Sequence, residues 1–183
     1  MTERGAYSTI ATNAALRRSG LPRRERDLAT ELAYGTIRKL IPLDYALRPH
    51  VPRGLKRTPQ RALACLRLGA YQLLFTRIPA HAAVSETVGL ARGNERGFVN
   101  AVLRRVASDG VAWPEGHDEG SVSVRTGLSE WAVRELRRVT GDGESAAAAL
   151  ASSAATPSKR SLVVRESSPT FSKRIAASPN ERS

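Results

Sequence analysis

Apolar residues recur at helical rather than strand spacing through the first hundred positions. Between Ala6 and Arg18 they fall at Ile10, Ala14 and Leu16, and Gly20 supplies a residue suited to ending a helix. Pro22 opens a second segment in which Leu28, Leu32, Ile37 and Leu40 follow the 3.6-residue period, with Arg23, Arg24, Arg26, Arg38 and Lys39 on the polar side. Pro42 is expected to kink or end that segment, since it lacks an amide proton and clashes with the preceding turn. A short helix over 43–47 should follow, then a loop marked by Pro49, Pro52 and Gly54. Thr58-Pro59 reads as a cap followed by a first-turn proline. Leu63, Leu66, Leu68, Ala70, Leu73, Leu74 and Phe75 leave little room for polar groups and predict a central buried helix, broken by Pro79. Residues 82–91 form a further helix around Val84, Val88 and Leu90. Asn94 is placed to cap the next one, where Phe98, Val102 and Val106 recur every four residues. With no alternating stretch anywhere in this region, the prediction is all-α, an orthogonal helical bundle.

The pattern changes after Ser108. Residues 109–127 are rich in glycine and acids and read as a linker. Residues 128–155 read as a short helical segment, with Trp131, Leu136 and Val139 as its apolar side and an alanine-rich stretch behind them. Over 156–183 serines and mixed charges predominate and only Leu162-Val163-Val164 hints at a strand, so a mostly disordered tail is expected.

Charge sharpens this picture. The 183 residues carry 29 Lys plus Arg against 17 Asp plus Glu, a net charge of +12. Residues 1–110 hold 19 basic and 8 acidic side chains, whereas 111–156 hold 4 and 7. The positive field thus belongs to the predicted bundle and favours a polyanionic partner, nucleic acid first. Cys65 is the only cysteine and lies in an apolar helical stretch, which excludes a disulfide framework or a cysteine zinc site and predicts a buried, inert thiol. No apolar run approaches a membrane span and no signal-peptide pattern opens the chain, so a cytoplasmic location is expected.

Four strings carry more than composition: Arg26-Asp27-Leu28-Ala29-Thr30-Glu31-Leu32-Ala33-Tyr34-Gly35-Thr36-Ile37-Arg38, Leu66-Arg67-Leu68-Gly69-Ala70-Tyr71-Gln72-Leu73-Leu74, Ile78-Pro79-Ala80-His81-Ala82-Ala83-Val84 and Gly97-Phe98-Val99-Asn100-Ala101-Val102-Leu103-Arg104-Arg105. In this order and spacing they resemble the NusB-like N-terminal domain of the RsmB-type ribosomal RNA cytosine-5 methyltransferases, over residues 6–108. Residues 128–141 are similar to the segment that joins this domain to the methyltransferase domain. The resemblance implies a helical bundle, RNA as ligand (ribosomal RNA above all) and a SAM-dependent methyltransferase as the usual tethered partner. It also implies a longer first helix than the one read here.

Most of the motif residues are explained by folding alone. Gly35 and Gly69 in mid-helix each cost about 1 kcal/mol relative to Ala, which points to close helix–helix approach. Tyr34, Tyr71, Gln72 and Phe98 read as core, His81 as a turn-stabilising or packed residue, and Asn100 as a buried amide tying its helix to neighbouring backbone. The arginines are different, because folding does not require them. Arg17, Arg18, Arg23, Arg24 and Arg26 surround one turn, and Arg104 and Arg105 end a helix. A guanidinium fork suits phosphate better than an ammonium, so these seven are the candidate RNA contacts; the alternative is a solvated helix face.

Candidate chemistry is sparse. The only G-x-G, Gly141-Asp142-Gly143, follows a helix rather than a strand, and no cysteine follows Cys65 to attack a cytosine ring. His50, His81 and His117 are scattered, without metal or acid–base spacing. The expectation is a non-catalytic RNA-binding module without cofactor or metal. Two other readings stay open: an inactive fragment of a methyltransferase, cut or frame-shifted near residue 156, and a protein-interaction module of transcription antitermination that docks a ribosomal or transcription-complex protein.

Overall fold

A computed structural model describes residues 12–153. Among the described residues every regular element is helical. Helix α1 covers 12–18 and closes into Gly20, whose φ of +61° is open to glycine at little cost. It is followed by α2 (Arg23–Arg38), α3 (Leu40–Leu47), α4 (Gln60–Phe75), α5 (Ala80–Leu90), α6 (Glu95–Asp109), α7 (Glu119–Thr126), α8 (Glu130–Thr140) and α9 (Gly143–Ser153). Two 3₁₀ turns, Arg48–His50 and Leu55–Arg57, fill the proline-marked loop. The expected tail, 156–183, and the first residues of the expected domain lie outside the described residues.

Helix α4 is the hub. It packs against α2, α3, α5 and α6. Ala62, Leu66 and Ala70 on one stripe are fully buried, as the apolar run predicts. The two mid-helix glycines mark the tightest contacts. A Cβ on Gly35 would stand 2.1 Å from the Tyr71 ring, and one on Gly69 would stand 2.4 Å from Leu103 Cδ1. Helices α2 and α6 therefore approach α4 at a distance that any larger residue would forbid. Gln72, a buried polar residue of α4, donates to Thr87 Oγ1 of α5 at 3.1 Å and to its own helix at Leu68 O. The bond satisfies both buried groups and fixes the α4–α5 register.

Several local expectations are corrected. The second helix breaks at Lys39, before Pro42, and α3 begins at Leu40. Pro42 then falls in the first turn of α3, where its missing amide would have had no intrahelical acceptor. Thr58 does not cap α4: its hydroxyl donates back to Gly54 O at 3.2 Å, and Pro59 occupies the cap position. Asn94 stands at the N-cap of α6 but makes no side-chain cap bond, its own backbone being already helical. Residues 109–127 are not loop throughout. Asp118 accepts from Ser121 N and caps α7, which Gly127 ends at φ +83°.

Helices α7, α8 and α9 share a small second core of Val122, Val133 and Ala147, flanked by Leu128 and Leu136. Val133 rather than Trp131 or Val139 is the buried anchor of α8; Trp131 is 65% and Val139 73% exposed. Leu136 lies three residues from Val133 and shares its stripe, whereas Trp131 and Val139 project from the other side.

This second core is stapled to the bundle. Tyr45 stacks on Trp113, which also contacts Phe75, with ring centroids 6.1 Å apart in both pairs. Tyr45 Oη donates to Ala112 O, Lys39 Nζ lies over the Phe75 ring and reaches Thr126 O, and Arg125 donates to the carbonyls of Pro114 and Gly116. Helix α3 packs directly on α7.

Candidate functional site

The seven predicted arginines fall into two places; α2 and α6, which carry five of them, share α4 as a neighbour rather than packing on each other as a main contact. Arg17 and Arg18 end α1; Arg23, Arg24 and Arg26 begin α2; all five are exposed around the Gly20 turn. Arg17, Arg18 and Arg26 form no ion pair with a described residue, and Arg23 stands 3.9 Å from Asp27 in an exposed pair of little energetic weight. The setting of Arg23, Arg24 and Arg26 is electrostatically unfavourable. A helix N-terminus carries partial positive charge, and three cations on the first turn oppose it, offset only by Glu25. Pro22 at the cap has no side-chain acceptor and the cap makes no side-chain hydrogen bond, which leaves first-turn amides without a side-chain partner in a turn that also carries three arginines. This arrangement suits an anion.

The second place is a groove of about 1000 Å³ between α5 and α6. Its floor is apolar, from Val84, Val88 and Gly97, and its rim carries His81, Arg96, Asn100, Arg104 and Arg105. Arg96, Asn100 and Arg104 follow at intervals of four, and so lie on one face of α6. Arg96 Nε is held by Ala91 O at 3.0 Å, and Arg104 Nε donates to Asn100 Oδ1 at 3.2 Å. Asn100 is therefore not the buried tie that the sequence suggests: it is half-buried, at the groove, and orients Arg104. His81, expected as packed, is exposed on the opposite wall. Arg105 makes no ion pair with a described residue, and neither does Arg104.

The contrast with α7–α9 is sharp. There every arginine is engaged internally: Arg125 with Glu144, Arg134 bidentate with Glu119 at 2.7–3.0 Å, Arg138 with Glu135, and Arg137 with His117 O. The carboxylates answer in kind. The bond from Arg134 holds Glu119 below the usual range, and the His117 and Arg125 bonds do the same for Glu144. In the bundle Arg67 makes a bidentate bond to Asp44 at 2.7 Å that joins α3 to α4, and Arg61 donates to Leu90 O at 3.0 Å. Cys65 is buried, and burial pushes its thiol up from the ordinary value, away from a reactive thiolate. Among the described residues no group of His, Cys, Asp and Glu is arranged to hold a metal ion, and no helix is long and apolar enough to cross a membrane.

Sequence reasoning found Arg104 and Arg105 but missed Arg96, His81 and Asn100 as their companions. The four-residue steps from Arg96 through Asn100 to Arg104 were a usable signal. His81 was not, because only the packing of α5 on α6 brings it to the same groove.

The fold defines an all-helical domain with a basic, partly apolar groove on one side. The chain belongs to the NusB family, whose model matches residues 1–108. It is 35% identical to ribosomal RNA small subunit methyltransferase B of Pseudomonas putida over 143 residues, which are 72% of this chain and 33% of that protein. It is 39% identical to the protein of the same name from Thermus thermophilus over 145 residues, 76% of this chain and 33% of the relative. A putative methyltransferase of Mycobacterium tuberculosis is 42% identical over 118 residues, 62% of this chain and 26% of the relative. The chain thus spans about a third or less of the length of these curated relatives. No solved structure matches.

Proposed function

We propose that this chain is an RNA-binding module acting on ribosomal RNA, and that the bundle rather than α7–α9 makes the contacts. Arg17, Arg18, Arg23, Arg24 and Arg26 take phosphates at the Gly20 turn. Arg104 and Arg105 take phosphates at the α5–α6 groove, whose apolar floor accepts an unstacked base. The observation that carries this reading is the division of labour among arginines. Each arginine of α7–α9 is bonded within that unit, whereas Arg17, Arg18, Arg26, Arg104 and Arg105 make no ion pair with a described residue, and Arg23, Arg24 and Arg26 open a helix against its dipole. Fold stability does not call for that placement; a polyanion does. Family membership and the names of the relatives point the same way. Catalysis is not part of the proposal, since Cys65 is the one thiol and is buried.

The test is binding of a small-subunit ribosomal RNA fragment across a salt series, with the parent chain and a variant carrying Arg26→Ala, Arg104→Ala and Arg105→Ala. Loss of three phosphate contacts should lower the slope of log affinity against log salt by roughly 2–3, at ~0.7–0.9 per contact. Circular dichroism should show both proteins equally folded. A folded variant with unchanged affinity and slope would refute the reading and leave these residues as a solvated face or a protein-docking surface.

A further inference from the structure

The polar side chains of the α5–α6 groove give hydrogen bonds far more than they take them. Among the described residues the lining includes Arg96, Arg104 and Arg105 and no carboxylate. A guanidinium has five N–H donors and no acceptor. Arg96 commits its Nε to Ala91 O, and Arg104 commits its Nε to Asn100 Oδ1 at 3.2 Å. The other N–H groups of both make no hydrogen bond with a described residue. Acceptors on the lining side chains, Asn100 apart, are confined to the hydroxyls of Ser85 and Ser108 and one ring nitrogen of a neutral His81.

Asn100 decides which base edge suits this groove. A free amide offers an acceptor and a donor side by side, the pattern that reads adenine through N6 and N7. Here the acceptor is engaged. Arginine cannot accept, so the atom facing Arg104 Nε has to be the carbonyl oxygen, and Nδ2 is left without a partner among the described residues. A second donor approaching Oδ1 would meet the guanidinium charge already beside it; an acceptor approaching Nδ2 would be attracted. Placement matters as well. Asn100 follows Gly97 by three residues and precedes Arg104 by four, so the three share one strip of α6. Nothing lies within 4 Å of the point where a Gly97 Cβ would stand, which leaves the floor open between Val84 and Val88. A flat base resting there would have its edge beside Nδ2 and the uncommitted N–H groups of Arg104.

We infer, building on RNA binding at this groove, that Asn100 is a specificity-determining residue: with its carbonyl held by Arg104, it selects a base with two adjacent acceptors and rejects adenine. Guanine offers such a pair at O6 and N7, and cytosine at O2 and N3. Adenine places its amine beside N1 and N7, and uracil places N3–H between its two oxygens.

The test uses the full chain and single-stranded RNAs of about a dozen nucleotides, abasic at every position but one, which carries guanine, cytosine, adenine or uracil. A fully abasic strand measures the phosphate contribution. A good bidentate base contact discriminates by roughly 5–150-fold, so the parent should bind the guanine strand, the cytosine strand or both at least ~5-fold more tightly than the adenine strand. The stronger of the two arms identifies the base. Arg104→Ala, at an exposed position, frees Oδ1. Its overall affinity should fall with the lost charge, and its preference over adenine should vanish or reverse as the amide regains a donor–acceptor pair. Asn100→Ala, shown by circular dichroism to be folded, should bind the four base-bearing strands equally. A parent that binds all four equally, with affinity still falling as salt rises, overturns the inference and leaves phosphate binding standing. Binding of no strand overturns both. A folded Asn100→Ala chain that keeps the parent's preference also overturns the inference, since the amide then does not set it.

Discussion

Gly69 and Gly97 offer the same substitution with opposite expected signs. Both lie within helices, and replacing either with alanine removes the backbone freedom that glycine loses on folding, a gain of up to ~1 kcal/mol. At Gly97 the new methyl group meets nothing within 4 Å. Gly97→Ala should therefore stabilise the chain by about 0.5–1 kcal/mol. At Gly69 the methyl carbon would stand 2.4, 2.9 and 3.2 Å from Leu103 Cδ1, Cδ2 and Cγ. Leu103 is fully buried and has no free volume to enter, so either its rotamer or the α4–α6 distance must give. Overpacking of this kind costs typically 1–3 kcal/mol. After a propensity gain of about 0.5–1 kcal/mol, Gly69→Ala should be less stable than the parent by up to about 2.5 kcal/mol. For a chain of 183 residues, each kcal/mol moves the melting midpoint by about 2–4 °C. Thermal melts followed by circular dichroism should thus show Gly97→Ala rising by about 1–4 °C and Gly69→Ala falling, by up to about 10 °C. If the two alanines shift the midpoint in the same direction, the close approach of α6 to α4 is not what fixes glycine at position 69.

Acid should weaken α7–α9 through carboxylates held below their ordinary values: Asp118 by hydrogen bonds from Ser121, and Glu144 by bonds from His117 and Arg125. A depressed native pKa contributes stability above the unfolded value, 4.5 for glutamate, and loses it as pH falls through the native one. Glu144→Gln should accordingly be less stable than the parent near neutrality, with the gap closing below about pH 4; a gap that stays constant down to pH 2–3 would contradict this. Cys65, buried and raised, should react with a thiol reagent only as fast as the bundle opens, so labelling in the native protein at the rate seen in denaturant would show that the site is open.

Much of the bundle was legible because its signals are local and redundant. The apolar stripe of α4, the terminating Gly20 and the two mid-helix glycines each depend on a few neighbouring residues, and each reading holds in the structure. Capping was less legible. Thr58 and Asn94 are suitable cap residues by type, but the backbone torsions around them put other atoms at the helix start. Helix α7 was hidden by its glycines and acids, although Asp118 and Gly127 bracket it with ordinary start and stop chemistry. The apolar side of α8 was misassigned because Trp131 outweighs Val133 in hydrophobicity, while burial was decided by what α7 and α9 present to the helix. At the candidate site, periodicity could show which residues of α6 share a face. It could not show that His81 of α5 stands across from them, because that depends on a tertiary contact.

The joint between the bundle and α7–α9 is braced from several directions: stacked aromatic rings, a lysine reaching a helix-end carbonyl, an arginine holding two loop carbonyls, and helix α3 lying on α7. Swinging at such a joint would have to break all of these contacts together. The α5–α6 groove and helix α9 keep a set bearing, so on the proposed reading the angle at which a strand bound in the groove would face α9 is decided when the protein folds. Binding in the groove would then position as well as attach, and loosening the brace, for instance by replacing Trp113, would degrade aim while leaving grip intact.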